Sequence, residues 1–310
     1  MKYIAFDISN ILYRTFYANK TADEETVAGL AHHAALTTLN KYNRVFKPHK
    51  LILCCDRKSW RKEYTASEEA ITPKPYKGNR RQKMTPAEQA KYAAFMDHLR
   101  EFEDIMREHT SVITLAEIGL EADDIMAGVC QVLTLDEDNE IILVTADQDM
   151  IQLLRYPNVR LIDPASGKDR TLDDWDGDAD LFMFEKCIRG DRGDHVQSAY
   201  PRVKKTRIMK AWNDDFERAN MMNETWIAPP LGEEEEGKEY IVKQLFKENQ
   251  LLMDLTMQPD NIQLNIIKTV LTGLKDPGTF SYFHFMRFLG RYKMEKLSQN
   301  VETFAKMLNK

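Results

Sequence analysis

The stretch Glu121-Ala122-Asp123-Asp124-Ile125-Met126-Ala127-Gly128-Val129 begins a predicted helix with three carboxylates in its first four positions. The apolar positions after them recur at helical spacing, at Ile125, Gly128, Val129, Val132 and Leu133. One acid at a helix start is a cap, because the backbone N–H groups and the helix dipole favour negative charge. Three acids this close repel one another, so a capping role and a functional role both stay open.

Other acids directly follow short apolar runs that have the composition of buried strands. The runs are residues 4–6, 51–55 and 141–146, and the acids after them are Asp7, Asp56, and Asp147 with Asp149. Strands that alternate with helices predict an α/β fold with a central, mostly parallel sheet flanked by helices. Ligands bind outside the carboxyl ends of such strands, so we expect these acids to gather at one edge.

A further acidic pair, Asp191 and Asp194, lies in the glycine-containing segment 189–194. Its spacing of three places both carboxylates on one face if the segment forms a helical turn. Carboxylates crowded at one edge require positive counter-charge, and hard divalent cations such as Mg²⁺ or Mn²⁺ are the usual solution. The set comprises Asp7, Asp56, Glu121, Asp123, Asp124, Asp147, Asp149, Asp191 and Asp194.

The whole chain has 310 residues, which suggests one large domain or two. Its net charge of −6 argues against a nucleic-acid partner when taken alone, but the clustered carboxylates exceed this deficit and leave the remainder net positive. No apolar run approaches the roughly 20 residues that span a bilayer, and the start lacks a signal-peptide core. We expect a cytosolic protein without a membrane partner and without disulfides.

Two basic segments accompany the acids. Residues 57–83 carry nine lysines and arginines interleaved with Trp60, Tyr64 and Tyr76. This composition suits phosphate contacts and base stacking, although a mobile surface loop is the competing interpretation. A second cluster follows Asp194 and suits a duplex backbone, with a plain surface helix as its alternative; it comprises Arg202, Lys204, Lys205, Arg207 and Lys210.

Helix signals complete the outline. Residues 24–46 read as a helix in which His32 is packed or solvated, and Thr85-Pro86-Ala87-Glu88 is a capping box that starts a helix to about His109. From Leu181 onward the pattern is helical with no further clear strand. We therefore predict a sheet core over 1–180, including the basic segment at about 57–85, and an all-helical part over 181–310.

With these residues established, the chain resembles the 5′-nuclease superfamily of flap endonucleases and 5′ to 3′ exonucleases. It looks most similar to the phage type that is called RNase H in T-even bacteriophages. The resemblance covers nearly the whole chain. It is carried by six motifs in order: Phe6-Asp7, Cys55-Asp56, Tyr76-Lys77-Gly78-Asn79-Arg80, Glu121-Ala122-Asp123-Asp124, Thr145-Ala146-Asp147-Gln148-Asp149 and Gly190-Asp191-Arg192-Gly193-Asp194.

The resemblance implies a PIN-like core, a helical arch, a helical duplex-binding part and two metal ions. Asp7, Asp56, Glu121 and Asp123 would surround the first ion with Asp124 close by, Asp147 and Asp149 would lie between the ions, and Asp191 and Asp194 would serve the second. The catalytic set would be Lys77, Arg80 and Asp147. Nucleic acid would contact Tyr76, suited to base stacking, and Arg81, Arg202, Lys204, Lys205 and Arg207. Many relatives have a glycine-rich helix-hairpin-helix turn where residues 195–205 here contain no glycine.

The leading hypothesis is a Mg²⁺-dependent 5′-nuclease, with Mn²⁺ as a substitute, that hydrolyses RNA primers or DNA flaps at their 5′ ends on duplex DNA during replication. It would act as a monomer on branched or nicked DNA and RNA–DNA hybrid, in the host cytoplasm if phage-encoded. The resemblance suggests a single-strand-binding protein and a sliding clamp as partners. A PIN-like ribonuclease that cuts single-stranded RNA, and a DNA-binding replication accessory without catalysis, remain the alternatives.

Overall fold

The structure is a computed structural model that describes residues 1–19, 22–72, 74–78, 84–229 and 237–310. The chain forms two compact units. The first comprises residues 1–58, 84–171 and 261–310, and the second comprises residues 59–83 and 172–260. The basic segment predicted at about 57–85 therefore falls almost entirely within the second unit.

The first unit is built on a five-stranded parallel sheet with the order β3-β2-β1-β4-β5. Its strands are β1 Lys2–Asp7, β2 Lys50–Cys54, β3 Ile113–Leu115, β4 Glu140–Val144 and β5 Val159–Ile162. The central positions of β1, β2 and β4 are buried apolar residues, which explains why these three strands read as short apolar runs. The predicted α/β fold with a central parallel sheet is confirmed.

The strand order reverses between β1 and β4, since β2 and β3 extend the sheet on one side of β1 and β4 and β5 extend it on the other. Asp7 pairs with Cys54, and Phe6 pairs with Val144, so the three central strands end nearly level. In parallel sheets, ligands bind outside the carboxyl ends of the strands at such a reversal. The fold therefore places the residues after β1, β2 and β4 at the position where a ligand is expected.

Helices cover this sheet. The helices of the first unit are α1 Ile8–Ala18, α2 Glu24–Phe46, α4 Pro86–His109, α5 Ala122–Leu133, α10 Asp260–Lys275, α11 Tyr282–Arg291, α12 Glu295–Gln299 and α13 Val301–Leu308, with a 3₁₀ helix at Gln148–Arg155. Asp23 caps α2 by accepting a hydrogen bond from the Thr26 N–H. Thr85 and Glu88 form the predicted capping box of α4. Local capping chemistry thus defines two helix starts.

The C-terminal helices pack with the sheet unit, which differs from the predicted division at residue 180. Phe285 and Phe304 lie in the same buried cluster as Phe6. In α5, a Cβ on Gly128 would stand 2.3 Å from the Ile266 Cγ2 atom of α10, so glycine permits this close approach. Periodicity shows that each C-terminal helix has an apolar face but not which surface that face covers, and this is why the sequence misplaced residues 261–310.

The second unit contains α3 Trp60–Tyr64, α6 Ala179–Arg189, α7 Lys205–Asn213, α8 Asp215–Asn223 and α9 Val242–Met253, a 3₁₀ turn at Asp173–Trp175, and an antiparallel pair of β6 Thr225–Ile227 with β7 Glu239–Ile241. Phe184, Ile208 and Leu245 form its core. The strand pair corrects the expectation that no strand follows Leu181. Each strand has three residues, which is too short for an alternating pattern to be recognised.

Two expectations about the chemistry of the chain can be compared with the structure. Cys54, Cys55, Cys130 and Cys187 are all buried free thiols, as predicted. Across the described ranges, no helix combines the length and the apolar composition that crossing a membrane would require.

His32 is packed inside the first unit. Its side chain is 1% exposed and lies against the rings of Phe102, Phe288 and Tyr292. The Nε2 atom donates to the His98 carbonyl oxygen at 3.1 Å, and the buried Nδ1 atom has no hydrogen-bond partner among the described residues. Burial lowers the pKa of His32 to about 3, from an ordinary value of 6.5. The folded protein therefore holds a neutral histidine.

We expect His32 to make the folded state less stable in mild acid. As the pH falls below about 6.5, the unfolded chain takes up a proton that the folded chain excludes, so stability is lost as the pH falls toward about 3. At about pH 5 the loss amounts to about 2 kcal/mol. Urea unfolding of the wild type and of His32→Leu at about pH 7.5 and pH 5 tests this. Equal losses in both proteins would contradict it.

Candidate active site

Three of the predicted acids follow the central strands of the first unit. Asp7 is the last residue of β1, Asp56 lies two residues after β2, and Asp147 lies three residues after β4. Asp7 is 5% exposed, whereas Asp56 and Asp147 are half-buried. The parallel register brings these strand ends side by side, as the sequence predicted.

Thr145 connects two of these acids. Its side chain is fully buried, and its Oγ1 atom donates to Asp7 Oδ2 at 3.1 Å. The same oxygen accepts a hydrogen bond from the Asp147 N–H at 3.1 Å. One hydroxyl group therefore holds the end of β1 and the turn after β4 together, and it sets the position of both acidic residues.

The charges at this edge interact strongly. Burial, the negative charge of Asp56 and that of Asp147 raise the pKa of Asp7 to about 7, although hydrogen bonds from the Asn10 N–H and Thr145 act in the opposite direction. Burial also raises the pKa of the Cys54 thiol well above its usual value, and the charges of Asp7, Asp123 and Asp56 add to this effect. Carboxylates from four separate parts of the first unit thus lie within electrostatic reach of one another.

Asp56 is fixed against the start of α5. Its Oδ1 atom accepts a hydrogen bond from the Ala122 N–H at 2.8 Å, and its own N–H donates to Ser9 Oγ at 3.2 Å. Ser9 is 1% exposed. The carboxylate of Asp56 therefore stands beside the acidic helix start with which the sequence analysis began.

Glu121 and Asp124 form a capping box at that start. The Glu121 N–H donates to Asp124 Oδ2 at 3.1 Å, and the Glu121 side chain accepts from the Asp124 N–H. Asp124 is fully buried. Both acids therefore have the capping role that the sequence left open. Asp123 lies between them and is the most exposed of the three acids.

Two other acids, Asp7 and Asp147, also cap the N-termini of helices. Asp7 accepts from the Asn10 N–H at 2.9 Å, and Asp147 accepts from the Asp149 N–H at 2.8 Å. Among the residues that the structure describes, no three His, Cys, Asp or Glu side chains stand close enough to hold a metal ion as they are. The carboxylates are near one another but turned toward backbone donors, which limits their mutual repulsion.

The donor set nevertheless fits a divalent cation. Its atoms are carboxylate oxygens, which hard cations such as Mg²⁺, Mn²⁺ and Ca²⁺ prefer. Burial raises the pKa of Asp7, and the negative charges of Asp56 and Asp147 raise it further, so the ionised form of Asp7 carries an electrostatic penalty. A cation bound among Asp7, Asp56 and Asp147 would remove that penalty.

The second unit contains the remaining acidic pair, which lies in a turn. Asp191 Oδ1 accepts from the Gly193 N–H at 2.7 Å and from the Asp194 N–H at 3.1 Å. Gly190 has a φ of 69°, and a Cβ there would stand 2.6 Å from the Gln197 backbone, so the turn requires glycine. The pair does not lie on a helix, because α6 ends at Arg189.

Each acid of this pair is joined to a lysine. Lys186 Nζ contacts Asp191 Oδ2 at 3.0 Å, and Lys77 Nζ lies 3.5 Å from Asp194 Oδ2. Burial raises the pKa of Asp191, but the charge and hydrogen bond of Lys186 outweigh it and hold that pKa below its usual value. The Asp191 carboxylate is therefore ionised, as a cation ligand must be.

Tyr76 and Lys77 are held against this turn. Tyr76 is 6% exposed, its hydroxyl donates to Asp194 Oδ2 at 2.9 Å, and the Arg61 guanidinium lies 5.9 Å from its ring centroid. The prediction that Tyr76 offers a ring for base stacking is therefore not supported, because that ring is packed inside the unit. Lys77 has a φ of 54°, and its N–H donates to the Asp194 carbonyl oxygen at 2.9 Å. Predicted site residues Arg80 and Arg81 lie outside the described residues.

The second basic cluster is exposed, as a surface that binds phosphates would be. Arg202, Lys204 and Lys205 are all solvent-exposed at the turn that leads into α7. Arg207 forms an ion pair with Glu224 and donates to the Tyr200 hydroxyl at 2.8 Å. Arg207 is thus already occupied by protein groups, while the N-terminal part of the cluster faces solvent.

Several residues that shape the site were not predicted. Thr145 and Ser9 lie two residues from Asp147 and Asp7, where a small hydroxyl beside a strand end was the available signal. Glu103 lies four residues after Leu99 on the apolar face of α4, where a carboxylate needs a partner, and Arg57 supplies it. No comparable signal pointed to Lys186, because a lysine in an amphipathic helix is ordinary.

Comparison with known proteins relates these features to a family. Residues 2–179 match the family described as 5′-3′ exonuclease, N-terminal resolvase-like domain, which is more than half of the chain. Ribonuclease H of Enterobacteria phage T4 is 24% identical over 323 residues, and the alignment covers 96% of this chain and 94% of that protein. Similarity therefore extends over the acidic core and beyond it.

Solved structures of bacteriophage T5 proteins share the fold. A T5 protein co-crystallised with metal ions has a TM-score of 0.63 at 18% identity, covering 88% of this chain and 99% of that chain. The T5 flap endonuclease, in a pseudo-enzyme–product complex with DNA and metal ions, has a TM-score of 0.63 at 19% identity, covering 89% and 100%. At these identities the likeness shows a common fold.

Proposed function

The chain belongs to the 5′-3′ exonuclease family, whose N-terminal resolvase-like domain it carries over residues 2–179, and from this we propose that it is a structure-specific 5′-nuclease. It hydrolyses phosphodiester bonds at the 5′ ends of RNA primers or DNA flaps on duplex DNA. The T4 relative is a ribonuclease H, and the T5 neighbour is a flap endonuclease that was crystallised with DNA. These two activities define the substrates to be tested.

The observation that carries the proposal is the crowding of Asp7, Asp56 and Asp147 at the strand-order reversal of the sheet. A capping role alone does not require three acids to share one edge at the cost of a raised pKa. Nuclease chemistry gives a reason for clustered acids, because cations held by them neutralise the charge of the phosphodiester and lower the pKa of the attacking water. The T5 neighbour that was crystallised with metal ions has the same fold.

We assign two Mg²⁺ ions as cofactors, with Mn²⁺ as a substitute. Asp7, Asp56 and Asp123 are assigned to the first ion, with Glu121 and Asp124 supporting it from the capping box. Asp147 and Asp149 complete the core ligands, and Asp191 and Asp194 are assigned to the second ion. When bound, such ions lower the pKa of a water molecule and neutralise charge on the phosphoryl oxygens.

The chain's own residues position the acids and the phosphate. Thr145 orients Asp7 and Asp147 through its buried hydroxyl. Lys77, whose ammonium group is near Asp194, is assigned to the scissile phosphate together with Arg80. Tyr76 acts from within the unit, by holding Asp194 and not by stacking on a base. A fixed ammonium group near the phosphate stabilises charge that grows as the bond breaks.

Duplex binding is assigned to the second unit. Arg202, Lys204 and Lys205 are exposed there and suit a phosphate backbone, while Arg207 would first have to leave Glu224. Arg81 is assigned to the same task from its sequence position. We further propose that the protein acts as a monomer in the cytoplasm, together with a single-strand-binding protein and a sliding clamp.

A cleavage assay tests the proposed function. We expect a labelled 5′-flap duplex and an RNA–DNA hybrid to be cut in Mg²⁺, with no cutting when the metal is chelated, and a free single strand to be cut much more slowly. Equal cutting of the free strand would support a PIN-like single-strand ribonuclease instead. Tight flap binding without any cleavage in Mg²⁺ or Mn²⁺ would support a non-catalytic accessory.

A further inference from the structure

Arg57, the residue that follows Asp56, forms a buried ion pair with Glu103. Arg57 donates from Nη2 to Glu103 Oε2 at 2.6 Å and from Nη1 to Glu103 Oε1 at 3.2 Å. The Glu103 side chain is fully buried, and that of Arg57 is 14% exposed. The pair joins the loop after β2 to the middle of α4. Its two parallel hydrogen bonds give it a single geometry, which is the arrangement that arginine favours with a carboxylate.

The same guanidinium group also contacts the backbone of Asp56. Arg57 Nη1 donates to the Asp56 carbonyl oxygen at 2.7 Å, and the Arg57 N–H donates to the Leu120 carbonyl oxygen at 2.9 Å. Two residues further on, the Ala122 N–H donates to Asp56 Oδ1 at 2.8 Å. The peptide that carries Asp56 is therefore fixed from α4 through Arg57 and from the start of α5 through two backbone groups.

Stability alone gives little reason for a charged pair at this place. Removing two charges from water carries a penalty that can exceed their attraction, and apolar side chains of similar size often replace such a pair without loss of stability. Apolar side chains, however, cannot donate a hydrogen bond to the Asp56 carbonyl oxygen. A lysine would keep the charge, but it lacks the planar fork that engages Glu103 and the Asp56 carbonyl at once.

We propose that Arg57, held by Glu103, is a positioning residue for Asp56. It fixes the backbone of Asp56 just after β2, beside the end of β1 that carries Asp7, before any cation binds. Arg57 itself is not a ligand, since its guanidinium group carries no lone pair that a cation could use. The inference rests on the proposed function, because it concerns the affinity of the acidic site for a divalent ion.

The test compares ion binding in two variants and a control. In Arg57→Met/Glu103→Leu both charges are removed together, so neither is left buried and unpaired. In Arg57→Lys the positive charge stays and the contact with the Asp56 carbonyl is lost. The control, Asp104→Leu/Arg107→Met, removes an exposed ion pair from the same helix, in which the side chains are 58% and 40% exposed. Mn²⁺ binding is followed by electron paramagnetic resonance of the free ion, without substrate.

We expect both Arg57 variants to melt near the wild-type temperature and to bind Mn²⁺ about 10- to 100-fold more weakly, which is the usual effect of losing a group that orients a ligand. The control should bind like the wild type. Unchanged Mn²⁺ affinity in a folded double variant overturns the positioning role. If the double variant does not fold, unchanged affinity in Arg57→Lys overturns it equally.

These results separate the positioning role from the nuclease assignment. Wild-type protein that binds Mn²⁺ and cuts a flap, beside Arg57 variants that bind Mn²⁺ as tightly, leaves the proposed function standing and removes only the role of Arg57. Wild-type protein that binds no Mn²⁺ contradicts both.

Discussion

Replacing Asp147 by alanine is expected to slow cleavage of a 5′-flap duplex by about 10³-fold or more, while binding of the same duplex stays measurable. Asp147 lies at the strand-order reversal, raises the pKa of Asp7 and shares Thr145 with it. Without its carboxylate, an ion in the proposed site would lose one of its assigned ligands. Single-turnover cleavage and a separate binding titration distinguish loss of chemistry from loss of affinity.

Asp178→Ala is the matched control, because Asp178 caps α6 just as Asp147 caps the 3₁₀ helix at Gln148–Arg155. Loss of a cap costs about 1 kcal/mol of stability in either place. If Asp147 were only a cap, the two variants would have equal melting temperatures and both would retain full cleavage. Retained turnover by Asp147→Ala at high Mg²⁺ would therefore count against its assignment.

Lys77→Ala should reduce the single-turnover cleavage rate by about 10²-fold, with a much smaller change in substrate affinity. The Lys77 ammonium group lies near Asp194, and its backbone is fixed to the same residue, so its position is determined independently of substrate. A preorganised cation acts mainly on the charge that develops in the transition state, and this is why the rate should fall more than the affinity.

Lys238→Ala is a suitable control for Lys77, since Lys238 belongs to the same unit and donates to the Ile71 carbonyl oxygen without contacting an assigned site residue. Its cleavage rate should remain close to the wild-type rate. A Lys77→Ala protein that cleaves as fast as Lys238→Ala would show that Lys77 serves the fold alone.

The sheet and its acidic edge could be predicted because their signals are local. The apolar runs at residues 51–55 and 141–146 are strands at the centre of a parallel sheet, and an acid follows each one. Helix α2 has the predicted bounds Glu24–Phe46, and α4 begins at the predicted capping box. Turn and cap chemistry acts over a few residues, so one stretch of sequence contains all the information needed.

The features that escaped prediction depend on contacts between distant residues. Tyr76 is buried because Asp194, 118 positions away, accepts its hydroxyl, and no pattern around Tyr76 indicates this. Helices α10 to α13 lie with the sheet unit because their apolar faces find a partner there, such as Ile266 beside Gly128. Glu121 and Asp124 are a local exception: they were grouped with the cation ligands, and each side chain accepts a hydrogen bond from the other's backbone N–H group.

We propose above that carboxylates from the ends of β1, β2 and β4 form one divalent-cation site. Anomalous scattering from crystals soaked in Mn²⁺ tests it directly. We expect an anomalous peak within coordination distance of Asp7, Asp56 and Asp147, and the loss of that peak in Asp147→Ala crystals. If the protein cuts flaps in Mn²⁺ while its crystals show no peak at these carboxylates, then the three acids do not form the cation site.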